Sequence, residues 1–155
     1  MFALKLFAAL GCGLIAGVFF AFSSFVMNAL AQLPANQGIK AMQAINIKVI
    51  NPSFMLFFLG AALDCVFLAV FSLLKGNQPG GIYTIAGSLF YLIGTLGVTL
   101  AFNVPLNDAL APVKPENAEE RHIWQQYLSQ WVLWNHLRTI AALTAAALFT
   151  LAICS

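Results

Sequence analysis

Two side chains of opposite charge, Asp64 and Arg138, stand in stretches that are otherwise apolar. Charges near hydrocarbon are expensive and persist where they are paired or functional. Each is therefore either structural glue or a catalytic or binding charge. Arg138 has company on its own helix. Trp124, Leu128, Trp131, Asn135, Arg138 and Ala142 follow spacings of four, three, four, three and four. At helical pitch they form one stripe less than about 100° wide. Asn135 and Arg138 thus point the same way, with Trp131 one turn above. Thr95, Thr99, Asn103 and Asn107 repeat at four on another segment, provided Pro105 does not rotate its end. Asn28, Asn46 and Asn51 are further amides near segment ends. His136 falls about 160° from Arg138 on the wheel, and His122 also lies off the stripe and reads as solvated. The two histidines make no metal site. Nucleotide-binding loops, a Ser-His-Asp set and a CxxC motif are missing from the sequence.

The segments that carry these residues are set by composition. The 155 residues are 61% hydrophobic and 8% charged, with a net charge of +2. That is too little charge to coat a water-soluble domain. It excludes an ordinary soluble enzyme, a disordered tail and a nucleic-acid binder, which would need more than the seven Lys and Arg present. Charge-free or nearly charge-free runs define four stretches of about 20 residues, long enough to cross a bilayer. They lie at about 6–27, 52–74, 82–102 and 131–153. Lipid cannot bond a backbone, so each is read as a helix. The first run also resembles a signal peptide ending at Ala29-Leu30-Ala31, but its length favours a span. Cys12 and Cys65 fall within spans and Cys154 at the end of the fourth, and all three read as small apolar fillers.

The predicted fold class is all-α: a four-helix transmembrane bundle with an interfacial helix in the first long loop and an extended fourth helix. Residues 1–155 form a single integral-membrane domain. In the first long loop, Ile39, Met42, Ile45, Val49 and Ile50 share an arc of about 140°, with Asn46 inside it. Such a helix lies on the bundle or on the headgroups. Asn46 is a candidate site residue, or equally a capping or loop-bonding amide. Lys75–Gly81 is rich in helix breakers and reads as a tight turn. In the second long loop, Pro115 followed by Glu116, Glu119 and Glu120 starts a helix that continues into the fourth span. Trp124, Tyr127, Trp131 and Trp134 read as marking its passage through the headgroup region. The glycines of Gly13-Leu14-Ile15-Ala16-Gly17 would permit close helix contact.

Four spans place both long loops on one side. Asn28, Asn46, Asn51, Asn103, Asn107, Asn135 and Arg138 all gather at that face, which points to a polar pocket opening there. Asp64 lies about 18 Å below the face and Arg138 about 10 Å, so an ion pair between them, direct or through water, is within reach. The few charges do not assign an orientation.

The stretches Phe19-Phe20-Ala21-Phe22-Ser23, Met42-Gln43-Ala44-Ile45-Asn46 and Asn51-Pro52-Ser53-Phe54 resemble those of the anthrone oxygenase-like integral-membrane family. So do Asn103-Val104-Pro105-Leu106-Asn107 and Trp131-Val132-Leu133-Trp134-Asn135-His136-Leu137-Arg138-Thr139. Most bacterial members of that family are known only as a domain of unknown function. The resemblance implies a multi-pass membrane protein, in a bacterial inner membrane. It also implies oxidation of an anthrone to a quinone by dioxygen, with no metal or flavin cofactor. On that reading Arg138 stabilises the substrate oxyanion, Asn135, Asn103 and Asn107 support it, and Trp131 and Phe22 stack on the planar ring. Asp108 at the mouth or Asp64 in depth would be the base, and Asn46 and Asn51 would complete the ligand-binding set. The alternative is a non-enzymatic protein that binds a quinone, a lipid or another apolar ligand, or serves as an accessory subunit. The expected partners are membrane lipids and an apolar aromatic ligand, with no nucleic acid; the oligomeric state is open. A small transporter is a weaker third reading, since no broken span or acidic relay is visible.

Overall fold

A computed structural model describes residues 1–76, 78–114 and 120–155. Among the described residues five helices follow one another: α1 Phe2–Ala31, α2 Ala35–Lys48, α3 Pro52–Lys75, α4 Gly81–Leu110 and α5 Glu120–Cys154. All but α2 are long and apolar enough to cross a membrane. At 1.5 Å per residue α5 is about 52 Å long, well beyond a hydrocarbon core of about 30 Å. The expected helix start at Pro115, Glu116 and Glu119 lies outside the described residues.

Local chemistry sets the boundaries. Asn51 caps α3: its Oδ1 accepts from the Phe54 amide at 3.1 Å, and Pro52 follows where no amide is needed. The other end of α3 stops at Gly76, whose φ of +66° continues no helix. Gly80 then turns the chain into α4 with φ +69°; a Cβ there would stand 2.6 Å from the Ala152 carbonyl oxygen, so only glycine fits. This is the tight turn expected at Lys75–Gly81.

The bundle is a ring in which each spanning helix touches two others. α5 packs on α1 and α4, and α3 packs on the same two from the opposite side. α3 and α5 are thus diagonal. The mid-bundle core joins Ala8, Cys12, Ile15, Phe19, Phe58, Cys65, Leu68, Tyr91 and Phe149. Close approach is bought at Gly94, whose missing Cβ would lie 2.5 Å from the Ala141 Cβ. The expected contact glycines behave differently: Gly17 faces open space and Gly13 reaches only Ala146 at 4.0 Å.

α2 lies on the bundle. Ile39 and Met42 are fully buried with Met27, Leu110, Trp124, Tyr127 and Trp131. Ile50, expected on the same apolar arc, is 70% exposed, because the helix ends at Lys48 and the arc stops with it. Gln43 ties α2 down: its Nε2 donates to the carbonyls of Leu110, Ala111 and Val113 at 2.9–3.2 Å. The aromatic residues of α5 are therefore not a headgroup belt. Trp124, Tyr127 and Trp131 are buried under α2, and only Trp134 stays at the edge, stacked on Phe102 at 3.6 Å.

Candidate functional site

One polar layer crosses the bundle near the long-loop end. Asn135, on α5, donates from Nδ2 to the Phe19 carbonyl at 2.7 Å and to the Ser23 hydroxyl, both on α1. Its Oδ1 accepts from Arg138 Nε at 2.8 Å. Arg138 Nη1 donates to Thr99 Oγ1 on α4 at 3.3 Å, and the Thr99 hydroxyl donates to the Thr95 carbonyl at 2.7 Å. Thr95 in turn donates to the Arg138 carbonyl at 3.3 Å. The guanidinium carbon lies 3.9 Å from the Phe19 ring centre and 4.9 Å from that of Trp131, so aromatic faces flank the charge.

A second tier lies one turn nearer the long loops. Asn107 Oδ1 accepts from both Tyr127 Oη and Trp131 Nε1, each at 2.8 Å. Asn103 Nδ2 donates to the Trp131 carbonyl at 3.2 Å, while its fully buried Oδ1 has no partner. Asn46 Nδ2, beside the Tyr127 hydroxyl, and Trp124 Nε1 are also buried without a partner. Phe22 stands 5.7 Å from Trp131, centre to centre. The structure thus brings Phe22, Asn46, Asn103, Asn107, Trp131, Asn135 and Arg138 to one end of the bundle.

The backbone widens at this level. π-helical turns run over Phe22–Val26 in α1 and over Phe90–Gly97 and Thr99–Asn103 in α4. Pro105 has no amide proton and its ring crowds the preceding turn. The Val104 amide reaches back to the Thr99 carbonyl instead, and the helix continues. A spacing of four overshoots an α-turn slightly and undershoots a π-turn slightly. The Thr95–Thr99–Asn103–Asn107 stripe therefore stays turned toward α5.

The remaining candidates sit elsewhere. Asn51 spends its polar atoms on the cap and on the Lys48 and Val49 carbonyls. Asn28 is exposed and bonds the Ser24 carbonyl. Asp108 is exposed on α4, one residue past Asn107. The Asp64–Arg138 pair is not formed. Both Asp64 oxygens are buried with no hydrogen-bond partner, while Arg138 is committed to Asn135 and Thr99. The cause is the diagonal placement of α3 and α5: Asp64 looks toward α1 near Cys12, away from α5. His122 and His136 are exposed. Among the described residues no three His, Cys, Asp or Glu side chains gather as metal ligands.

Sequence reasoning missed Tyr127, Thr99, Ser23 and Phe19 as members of the layer. Thr99 was signalled by the four-residue repeat it shares with Asn103, and Tyr127 by its position between Trp124 and Trp131. Phe19 contributes mainly a carbonyl and a ring face, for which one sequence holds no signal.

What the layer can do follows from its charge. Arg138 is 6% exposed, and among the described residues no carboxylate pairs with it. A buried cation without an anion carries most of its desolvation cost unrepaid. A guanidinium so placed can accept negative charge. Two grooves elsewhere, of about 370 Å³ at the α3–α4 turn and about 410 Å³ beside Asp64, do not border it.

The chain matches no curated protein and no solved structure. A family model described as Anthrone oxygenase matches residues 53–148, a stretch that carries Asn103, Asn107, Trp131, Asn135 and Arg138. That stretch is more than half of an all-helical chain with four membrane-length helices, and the protein belongs to the anthrone oxygenase family.

Proposed function

We propose that this membrane protein is an oxygenase that needs no cofactor and converts an anthrone-like aromatic, taken from the lipid phase, into a quinone. The observation that carries this reading is Arg138, buried between aromatic rings with no carboxylate among the described residues to pair with. Loss of a proton from the central methylene of an anthrone leaves an electron-rich oxyanion. A fixed guanidinium in a dry site stabilises such charge far better than water does. The anion hands an electron to dioxygen, the two radicals combine at the methylene carbon, and loss of water from the peroxide leaves the second carbonyl. The balance is one anthrone and one dioxygen giving one quinone and one water.

In this scheme Arg138 binds the oxyanion, Asn135 and Thr99 hold the guanidinium, and Trp131 and Phe22 stack on the ring. Asn103 Oδ1 and Asn46 Nδ2 are open to polar groups of the ligand. The layer is covered by α2, so entry requires α2 to lift from its Gln43 tether or Phe22 to swing aside. Asp108, at the exposed mouth, is the candidate base nearest this tier. Asp64 is not within bonding reach of Arg138.

A non-catalytic binding protein for the same ligand is the second reading. Asn135 and Asn107 are already bonded to the bundle, which favours a structural role for those two amides in either reading. Purified protein mixed with an anthrone under air separates the two. Quinone absorbance and oxygen uptake rising well above a detergent blank support the oxygenase; a rate equal to the blank leaves only binding.

A further inference from the structure

Asp64 is unexplained by the polar layer. It is 8% exposed, at mid-span of α3, and neither carboxyl oxygen has a hydrogen-bond partner. It also forms part of the wall of the groove of about 410 Å³ between α1 and α3, with Leu4, Phe7, Leu63 and Phe67. Leu63 and Phe67 are 72% and 52% exposed on the surface that faces lipid, so the groove opens sideways into the bilayer. We propose that this groove is a second ligand site, distinct from the Arg138 layer, for a flat, uncharged, carbonyl-bearing ring compound dissolved in the lipid, with Asp64 as its hydrogen-bond donor.

Three observations select that chemistry. The phenyl rings of Phe7 and Phe67 supply aromatic wall, which suits a flat ring. Neither Asp64 oxygen has a protein partner, and a carboxyl in hydrocarbon with no bonded cation is held as the neutral acid, so its O–H would meet no competitor for a ligand carbonyl. The other lining residues are all apolar, so a charged amine would bring its own desolvation cost into hydrocarbon, whereas a neutral carbonyl would not. Both carboxyl oxygens are covered, so seating the ligand needs the carboxyl to turn outward into the groove, a rotation about bonds of one side chain. The proposal does not depend on the Arg138 reading, and its test reads no turnover.

Dicyclohexylcarbodiimide partitions into bilayers and attacks carboxyls there. The acid O–H adds across one C=N bond and rearranges to an acylurea, with no leaving group, so each adduct adds one reagent mass. The full chain in phosphatidylcholine nanodiscs would be labelled and mapped by mass spectrometry, with fluorenone, fluorene or dodecylamine as competitor. Fluorene has the ring of fluorenone without its carbonyl. The expected result is one adduct at Asp64, absent in Asp64→Asn. Fluorenone should protect at about fivefold lower concentration than fluorene, the worth of one net hydrogen bond. Leu63→Trp, which adds bulk at an exposed position, should slow labelling without competitor. No adduct at Asp64, equal protection by fluorenone and fluorene, or stronger protection by dodecylamine would each overturn the proposal.

Discussion

Replacing Arg138 with methionine tests whether its charge serves the fold or a ligand. The change removes two charge-assisted hydrogen bonds, to Asn135 and Thr99, worth about 1.5–3 kcal/mol each. It also removes the stacking of the cation on Phe19, worth about 1–2 kcal/mol when desolvated. Against these losses stands relief from burying a charge that has no anion among the described residues, which costs several kcal/mol. The side chain stays long and apolar, so no large cavity opens. The opposing terms cancel to within about 2 kcal/mol, or roughly 6 °C in Tm for a chain of this length. Activity should respond differently: losing one preorganised oxyanion donor costs about 10²–10³ in kcat. The assay pairs thermal unfolding in detergent with anthrone oxidation in proteoliposomes. Destabilisation above about 4 kcal/mol together with an unchanged rate would refute the reasoning, since Arg138 would then be structural glue alone.

Three further outcomes are expected. Asn135→Asp places a carboxylate against Arg138 Nε but sets its second oxygen against the Phe19 carbonyl, where Asn135 donated; unfolding should come about 1–3 kcal/mol earlier and anthrone oxidation should fall at least tenfold, and retained activity would show that the guanidinium need not be free of an anion. Trp131→Phe keeps a ring near Arg138 but deletes the Nε1 bond to Asn107, so unfolding should come about 1 kcal/mol earlier, with loss of activity smaller than for Arg138→Met. Gly94→Ala drives a Cβ to 2.5 Å from that of Ala141 and should cost about 1–3 kcal/mol by thermal unfolding, largely restored in the double variant with Ala141→Gly.

Much of the architecture was legible because hydrocarbon thickness and helical rise are fixed lengths. Charge-free runs gave four spanning helices, and the observed ones extend the expected bounds mainly where polar residues continue the same helix beyond the lipid. The α5 stripe was legible because every turn repeats the same angle, and Trp124, Trp131, Asn135, Arg138 and Ala142 are all buried. The Thr95–Asn107 repeat survived Pro105 because the helix widened instead of breaking. The aromatic residues of α5 were misread for a different reason. A tryptophan near a helix end looks the same in sequence whether headgroups or another helix cover it, and here α2 covers three of the four.

By itself the sequence determined which segments cross the membrane, which face of α5 is polar, and that amides and a guanidinium gather at the long-loop end. Those properties follow from intervals along one chain, which local helix geometry converts directly into positions. Only the tertiary structure decided which helices are neighbours. That choice set Arg138 against α1 and α4, where aromatic rings and hydroxyls meet it, and set Asp64 against α1, out of its reach. Adjacency in a bundle is settled by side-chain fit between helices far apart in sequence, such as Gly94 on Ala141, and no periodicity within one helix encodes it.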